Sequence, residues 1–266
     1  MNTTLGVIVG NRDFFPDYLV TEARNDVQAL FAKLDIGVVM LSEEDSKLGG
    51  VGTYADARNC AELFKRNRES IDGVLVSLPN FGDEKGVADT LKLAGLDVPV
   101  LVQAYPDDLD KLDPANRRDG FCGKISVTNN LYQRGIAFSL TTKHVCRPND
   151  ASFVSDLDKF IAVCRVVRGL RNARLGAVGA RPGAFNTVRY SEKILERAGI
   201  SVTTVDFSEI LGNAEKLSAD DSVVKERVEQ IKAYASTGST PESSLVKIAR
   251  LDVALRDFVE ANELDA

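Results

Sequence analysis

The segment Gly73-Val74-Leu75-Val76-Ser77-Leu78-Pro79-Asn80-Phe81-Gly82-Asp83 is a short, almost unbroken apolar run that ends abruptly in a turn. A half-buried strand alternates polar and apolar residues, so this run predicts a strand covered on both faces, as in a parallel sheet. Pro79 ends the run, and Asn80-Phe81-Gly82-Asp83 supplies a strand-to-helix turn in which Asp83 is placed to cap a helix over about 84–94.

The same unit recurs on either side. Leu5 to Gly10 is an apolar, β-branched strand, and beyond Pro16 the residues Tyr18, Leu19, Ala23, Val27, Leu30 and Phe31 follow helical spacing. Strands are predicted over 36–41 and 98–102, with a helix over about 54–68 between the first of these and 73–78. Past the turn-rich stretch Pro106–Gly123, residues 124–141 mix helical spacing with Thr and Asn. Pro148-Asn149-Asp150 then punctuates the chain, and 151–173 reads as an amphipathic helix through Phe153, Leu157, Phe160, Ile161, Cys164 and Val167. A second series follows, with strands over 174–179 and 200–206 and helices over about 185–198, from Ser208, over about 220–235 and over 241–263. Ser239 or Thr240 is expected to cap the last helix, with Pro241 at its first position. Alternating β and α at this spacing predicts the α/β class, with two Rossmann-like doubly wound parallel-sheet domains. The division falls within 145–173 and is drawn to give domains 1–147 and 148–266. The segment from Phe258 to Ala266 reads as a helix followed by the approach to another strand, so the chain is expected to stop within a fold.

Composition narrows the function classes. The 266 residues are 44% hydrophobic and 27% charged, values usual for a globular protein. A net charge of −6 disfavours nonspecific nucleic-acid binding, which needs a basic surface. No apolar run reaches the roughly 18 residues of a membrane span. Met1-Asn2-Thr3-Thr4 has no basic character, and Asn11-Arg12-Asp13 interrupts the apolar segment that follows, so no signal peptide is read and a cytoplasmic location is expected. Cys60, Cys122, Cys146 and Cys164 form no C-x-x-C pair and are expected as buried or partly buried free thiols.

In parallel α/β sheets, ligands bind outside the carboxyl ends of the strands. Three loops there have unusual composition. Gly10-Asn11-Arg12-Asp13-Phe14-Phe15-Pro16 offers Arg12 to a carboxylate, phosphate or sugar hydroxyl, although an ion pair of Arg12 with Asp13 or Asp17 would equally close the loop. The turn at Asn80, Phe81 and Gly82 combines an amide, an aromatic face and a flexible backbone, a set suited to a polyhydroxylated ligand, and is also an ordinary helix-capping turn. Gly176-Ala177-Val178-Gly179-Ala180-Arg181-Pro182-Gly183-Ala184-Phe185, with Asp206 ending the next strand, invites a dinucleotide reading. Its glycines are misplaced for G-x-G-x-x-G, and Pro182 removes a backbone donor.

G-x-x-x-x-G-K-[ST], G-x-S-x-G and H-E-x-x-H are absent. The one histidine, His144, is read as a hydrogen-bonded structural or pocket-lining residue rather than half of a Cys146–His144 dyad. Acidic residues such as Glu192, Glu226 and Glu229 are read as solvated helix faces, and no metal cluster is assembled from this sequence.

The order of motifs carries a resemblance: Val-Gly-Asn-Arg after the first strand, Leu-Pro-Asn-Phe-Gly-Asp after the third, and Gly-Ala-Val-Gly-Ala-Arg-Pro-Gly-Ala-Phe opening the second series. The chain resembles the amino-terminal part of the L-fucose and L-arabinose isomerase-like family over nearly all of its length. That resemblance implies aldose–ketose interconversion by ene-diol proton transfer, with a divalent metal, usually Mn²⁺, polarising the two oxygens. It implies that the metal ligands come from a catalytic region at and beyond the end of this chain, so that the chain alone would not turn over sugar. It implies a homo-oligomer, trimer or hexamer, whose first domain recognises the sugar and helps form subunit contacts. On the same basis Arg12, Asn80, Phe81, Gly82, Arg181 and Phe185 are the substrate-binding candidates, for hydroxyl recognition and stacking. A stand-alone sugar-binding module is the alternative reading.

Overall fold

The computed structural model describes residues 3–266; Met1 and Asn2 of the amino-terminal reading lie outside them. The chain divides into two compact units after Arg168.

The first unit runs β1 (Thr4–Val9), α1 (Tyr18–Lys33), β2 (Gly37–Val39), α2 (Tyr54–Arg66), β3 (Gly73–Leu78), α3 (Glu84–Ala94), β4 (Val100–Ala104), α4 (Gly120–Gln133), β5 (Ser139–Leu140) and α5 (Ala151–Leu170). Its strands form one sheet of order β2-β1-β3-β4-β5, every neighbouring pair parallel. All six residues of β3 are buried, as its continuous apolar run predicts. Alternate residues point to opposite faces. Leu5, Val7, Val9, Leu75 and Leu101 therefore pack with α1 and α5 through Val27, Phe31, Phe153, Leu157 and Phe160. Ile8, Val74, Val76 and Val102 pack with α2, α3 and α4 through Phe64, Val87, Ala88 and Val127. The sheet is thus doubly wound, and its order reverses between β1 and β3.

The division between units comes later than 147/148 because α5 belongs to the first core, where Phe153, Leu157 and Cys164 are 0% exposed. Other boundaries shift for local reasons. β4 starts at Val100 rather than 98 because Pro99 has no N–H to give a ladder; its carbonyl instead accepts from the Val74 amide at 2.8 Å. β2 is confined to Gly37–Val39. The helical reading over 124–141 resolves into α4, which begins at Gly120, and the two-residue strand β5.

In the second unit, β6 (Arg174–Val178) and β7 (Ser201–Val205) form a two-stranded parallel sheet, joined through α6 (Glu192–Arg197). The helices α7 (Phe207–Lys216), α8 (Ser222–Tyr234) and α9 (Glu242–Ala261) follow. Ala254 of α9 clusters with Val205, Ile210 and Ala214, while Leu245 and Ala249 of the same helix cluster with Val224 and Val228 of α8. This unit is a single βαβ turn carrying three further helices rather than a second large sheet. The helix expected over 185–198 shortens to α6, which buries no residue. Pro241 is the residue before α9 rather than its first helical residue, with ψ 141° still extended. At the carboxyl terminus the Asp265 amide donates to Arg174 O at 2.8 Å and the Gly176 amide donates to Ala266 O at 2.6 Å, with no further strand after α9 among the described residues.

Phe153→Ala is expected to cost about 3–5 kcal/mol of the first unit's unfolding free energy, the range for emptying a buried aromatic site. Urea unfolding followed by circular dichroism reads this directly, and a loss below about 1 kcal/mol would exclude α5 from that core.

Candidate ligand site at the reversal of strand order

In an open parallel sheet the point where strand order reverses leaves a crevice at the carboxyl ends, because the connections on either side depart to opposite faces. Here that point lies between β1 and β3, and the loops leaving it are Gly10–Pro16 and Pro79–Asp83. Asn11 and Asn80 are both buried, and the Asn80 amide nitrogen donates to Asn11 Oδ1 at 3.0 Å. The Asn11 backbone accepts from the Asp83 amide at 2.9 Å and donates to Val51 O at 2.9 Å. The two loops touch backbone to backbone at Gly82, where a Cβ would stand 3.0 Å from the Gly10 carbonyl carbon. Asp83 caps α3 by accepting from the Gly86 amide at 2.6 Å.

This arrangement brings Arg12, Asn80, Phe81 and Gly82 together. The Arg12 guanidinium lies over the Phe81 ring, 4.5 Å from its centroid, and Nη2 donates to Gly82 O at 3.3 Å. Asp13 and Asp17 pair with Lys47 instead, at 3.5 and 2.9 Å. Arg12 is thereby left as a cation stacked on an aromatic face. Among the described residues, Arg12 Nε and Asn80 Oδ1 are buried atoms with no protein hydrogen-bond partner. Such groups are costly to bury without a partner.

Around this corner stands a polar network that the sequence did not single out. Arg118 is 3% exposed and donates through Nη2 to Glu22, while Arg147 donates to Glu22 Oε1 at 2.9 Å and to Asp108 Oδ1 at 2.7 Å. Both guanidiniums lie over the Tyr105 ring, whose hydroxyl donates to Asp26 at 3.0 Å. Partial burial pushes the Glu22 carboxyl up, but hydrogen bonds and charge from Arg118 and Arg147 outweigh it and hold Glu22 below its usual value. Burial likewise opposes, and Arg147 overcomes, in lowering Asp108. Burial, followed by the charge of Asp26, raises the Tyr105 hydroxyl. The available signal was positional: Glu22 and Asp26 lie four apart on α1, next to the buried Leu19 and Ala23.

Arg181 and Phe185 meet in the second unit, in an exposed loop. Arg181 Nη1 donates to the carbonyls of Phe185 at 2.7 Å and Pro182 at 3.1 Å, so the guanidinium is folded into its own turn. Within the glycine-rich segment packing accounts for Gly176, whereas a Cβ on Gly183 would meet nothing within 4 Å. A Cβ on Gly176 would stand 2.9 Å from Leu264 Cδ1, and Asp206 caps α7 by accepting from the Ser208 amide at 2.8 Å.

His144 stacks on Phe121, with centroids 4.3 Å apart, and its Nε2 is 3.0 Å from Phe121 O. Cys146 is buried, which raises its thiol. Burial pushes the Cys60 and Cys164 thiols up to about 12. Cys122 corrects the expectation of buried or partly buried thiols, because it is exposed in the first turn of α4. Among the described residues, no group of three or more His, Cys, Asp or Glu side chains is placed to hold a metal ion, and no helix is long and apolar enough to cross a membrane.

Comparison with protein families matches residues 6–171 to the fucose/sulfoquinovose isomerase N-terminal domain, a span that nearly coincides with the first unit. The chain belongs to this family. The candidate site and its arginine network thus lie wholly inside the fucose/sulfoquinovose isomerase N-terminal domain. A comparison with curated proteins gives no match. Among solved structures, 2,3-dimethylmalate lyase, a PEP mutase/isocitrate lyase superfamily member, is similar at 15% identity over 97% of this chain and 94% of that one. Its TM-score of 0.26 is too low to bear on fold or function.

Because the Glu22 and Asp108 carboxyls are held low in the fold, their contribution to stability is present above the unfolded values, about 4.3 and 3.9, and is lost as pH falls through the folded ones. Urea midpoints of this isomerase-family domain are therefore expected to fall with acidification below about pH 4.5, and less steeply in Glu22→Gln. An identical acid slope in that variant would contradict the assignment.

Proposed function

We propose that this chain is the substrate-recognition portion of a metal-dependent aldose–ketose isomerase of L-fucose/D-arabinose or L-arabinose type, and that the Arg12–Phe81–Gly82 corner binds the sugar. The observation that carries the reading is the Arg12 guanidinium stacked on Phe81 where the strand order reverses, within a domain of the isomerase family. An aromatic face suits the apolar C–H face of a pyranose, and a guanidinium suits its hydroxyls. Arg181 and Phe185, in the loop after β6, are proposed separately for hydroxyl recognition and stacking within the second unit.

In this reading Mn²⁺ supplies polarisation of the two sugar oxygens in the complete enzyme. The described residues offer no grouping of donors that fits the ion, so the chain is assigned binding and orientation of the sugar and no proton-transfer step. Homo-oligomeric assembly and a cytoplasmic setting belong to the same proposal.

Calorimetric titration with L-fucose, D-arabinose and L-arabinose is the test. Binding is expected in the millimolar range or tighter, and Arg12→Ala or Phe81→Ala is expected to weaken it about tenfold, equivalent to about 1.4 kcal/mol. Absence of binding to every sugar, or equal binding by both variants, would overturn the proposal.

A further inference from the structure

Arg118 was absent from the sequence candidates, yet it holds the β3 loop by both ends. Its backbone carbonyl accepts from the Phe81 amide at 2.8 Å, and its Nη1 donates to Pro79 O at 3.4 Å. Asn80, between those two anchors, is 0% exposed. Arg118 is itself fixed from three further directions. Its amide donates to Asp107 Oδ1 at 2.8 Å, its guanidinium lies 5.2 Å from the Tyr105 centroid, and its Nη2 donates to Glu22, which Arg147 grips from the other side. Gly123, on the following helix, leaves room for this approach: a Cβ there would stand 2.9 Å from Phe81 Cα.

We propose that Arg118 is a positioning residue for the Phe81 platform: its fork and its carbonyl set the height of the Pro79–Phe81 loop, and Glu22 sets the fork. The part of this inference that concerns ligand affinity rests on the reading of the platform as a sugar site; the part that concerns loop order does not. Lysine cannot reproduce the arrangement, because one ammonium on a flexible stem does not serve Pro79 O and Glu22 with a planar fork. The charge on Glu22 matters for the same reason, since a neutral amide there gives Arg118 and Arg147 a weaker common acceptor.

The experiment uses the full chain, with amide hydrogen exchange read residue by residue alongside L-fucose titration. Arg118→Lys keeps the charge and the carbonyl, and is expected to speed exchange at the Phe81 amide about tenfold while leaving the Gly10 amide, bonded to Ser77 O at 3.0 Å, unchanged. Glu22→Gln is expected to act in the same direction by a smaller factor, which covers the case of an Arg118→Lys chain that fails to fold. Affinity for L-fucose is expected to fall about fivefold in Arg118→Lys. The comparison variant is Asp89→Asn, which removes the distant Arg134–Asp89 ion pair and is expected to move neither readout. Unchanged Phe81 exchange in both Arg118→Lys and Glu22→Gln overturns the inference. If Phe81→Ala abolishes sugar binding but Arg118→Lys leaves it intact, the positioning role fails and the sugar site stands. If no variant affects sugar binding, the sugar reading fails, and Phe81 exchange alone decides the role of Arg118.

Discussion

The buried hydrogen bond from the Asn80 amide to Asn11 Oδ1 joins the loops that leave β1 and β3, the two strands between which the sheet reverses its order. Connections on either side of that point depart to opposite faces, and the pairing of β1 with β3 ends where the Gly10 amide donates to Ser77 O. The amide pair joins the loops beyond it, and Asp83 donating to Asn11 O and the Cβ-free Gly82 bring the backbones into contact. In the loops so joined, the Arg12 guanidinium lies over the Phe81 ring.

A second tier of charge supports this corner from the side of β4 and β5. Arg118 and Arg147 share Glu22 and face Tyr105, so loops distant in sequence (residues 79–83, 105–119 and 141–147) are tied to α1. Nearby Lys124 has a separate structural task. It is buried, donates to Thr141 Oγ1 at 2.6 Å and to His144 O at 2.8 Å, and burial lowers it to about 8. The site and its supports form one set of interlocked loops on a rigid sheet, which is how a parallel α/β protein separates stability from recognition.

The fold was legible where burial dictates composition. The run from Gly73 to Leu78 reads as a doubly covered strand and Asp83 as a cap, and the structure has both. Legibility fell where tertiary partners decide. Residues 185–191 have helical spacing but bury no face, and remain a loop held by Arg181. The helix 151–170 gave no sign in sequence of which core it would join. Arg12, Asn80, Phe81 and Gly82 were accessible because strand ends are places to look. Glu22, Arg118 and Arg147 were not, because their meeting depends on contacts spanning 96 and 125 residues.

Residue-resolved amide chemical shifts during titration with L-fucose test the sugar site most directly, since they report where a ligand sits. Shifts concentrated at Asn11–Asp13 and Phe81–Asp83 are the expected result. Shifts centred instead on Leu96–Val98 and Ala137, which line a cavity of about 320 Å³ elsewhere in the first unit, would contradict it.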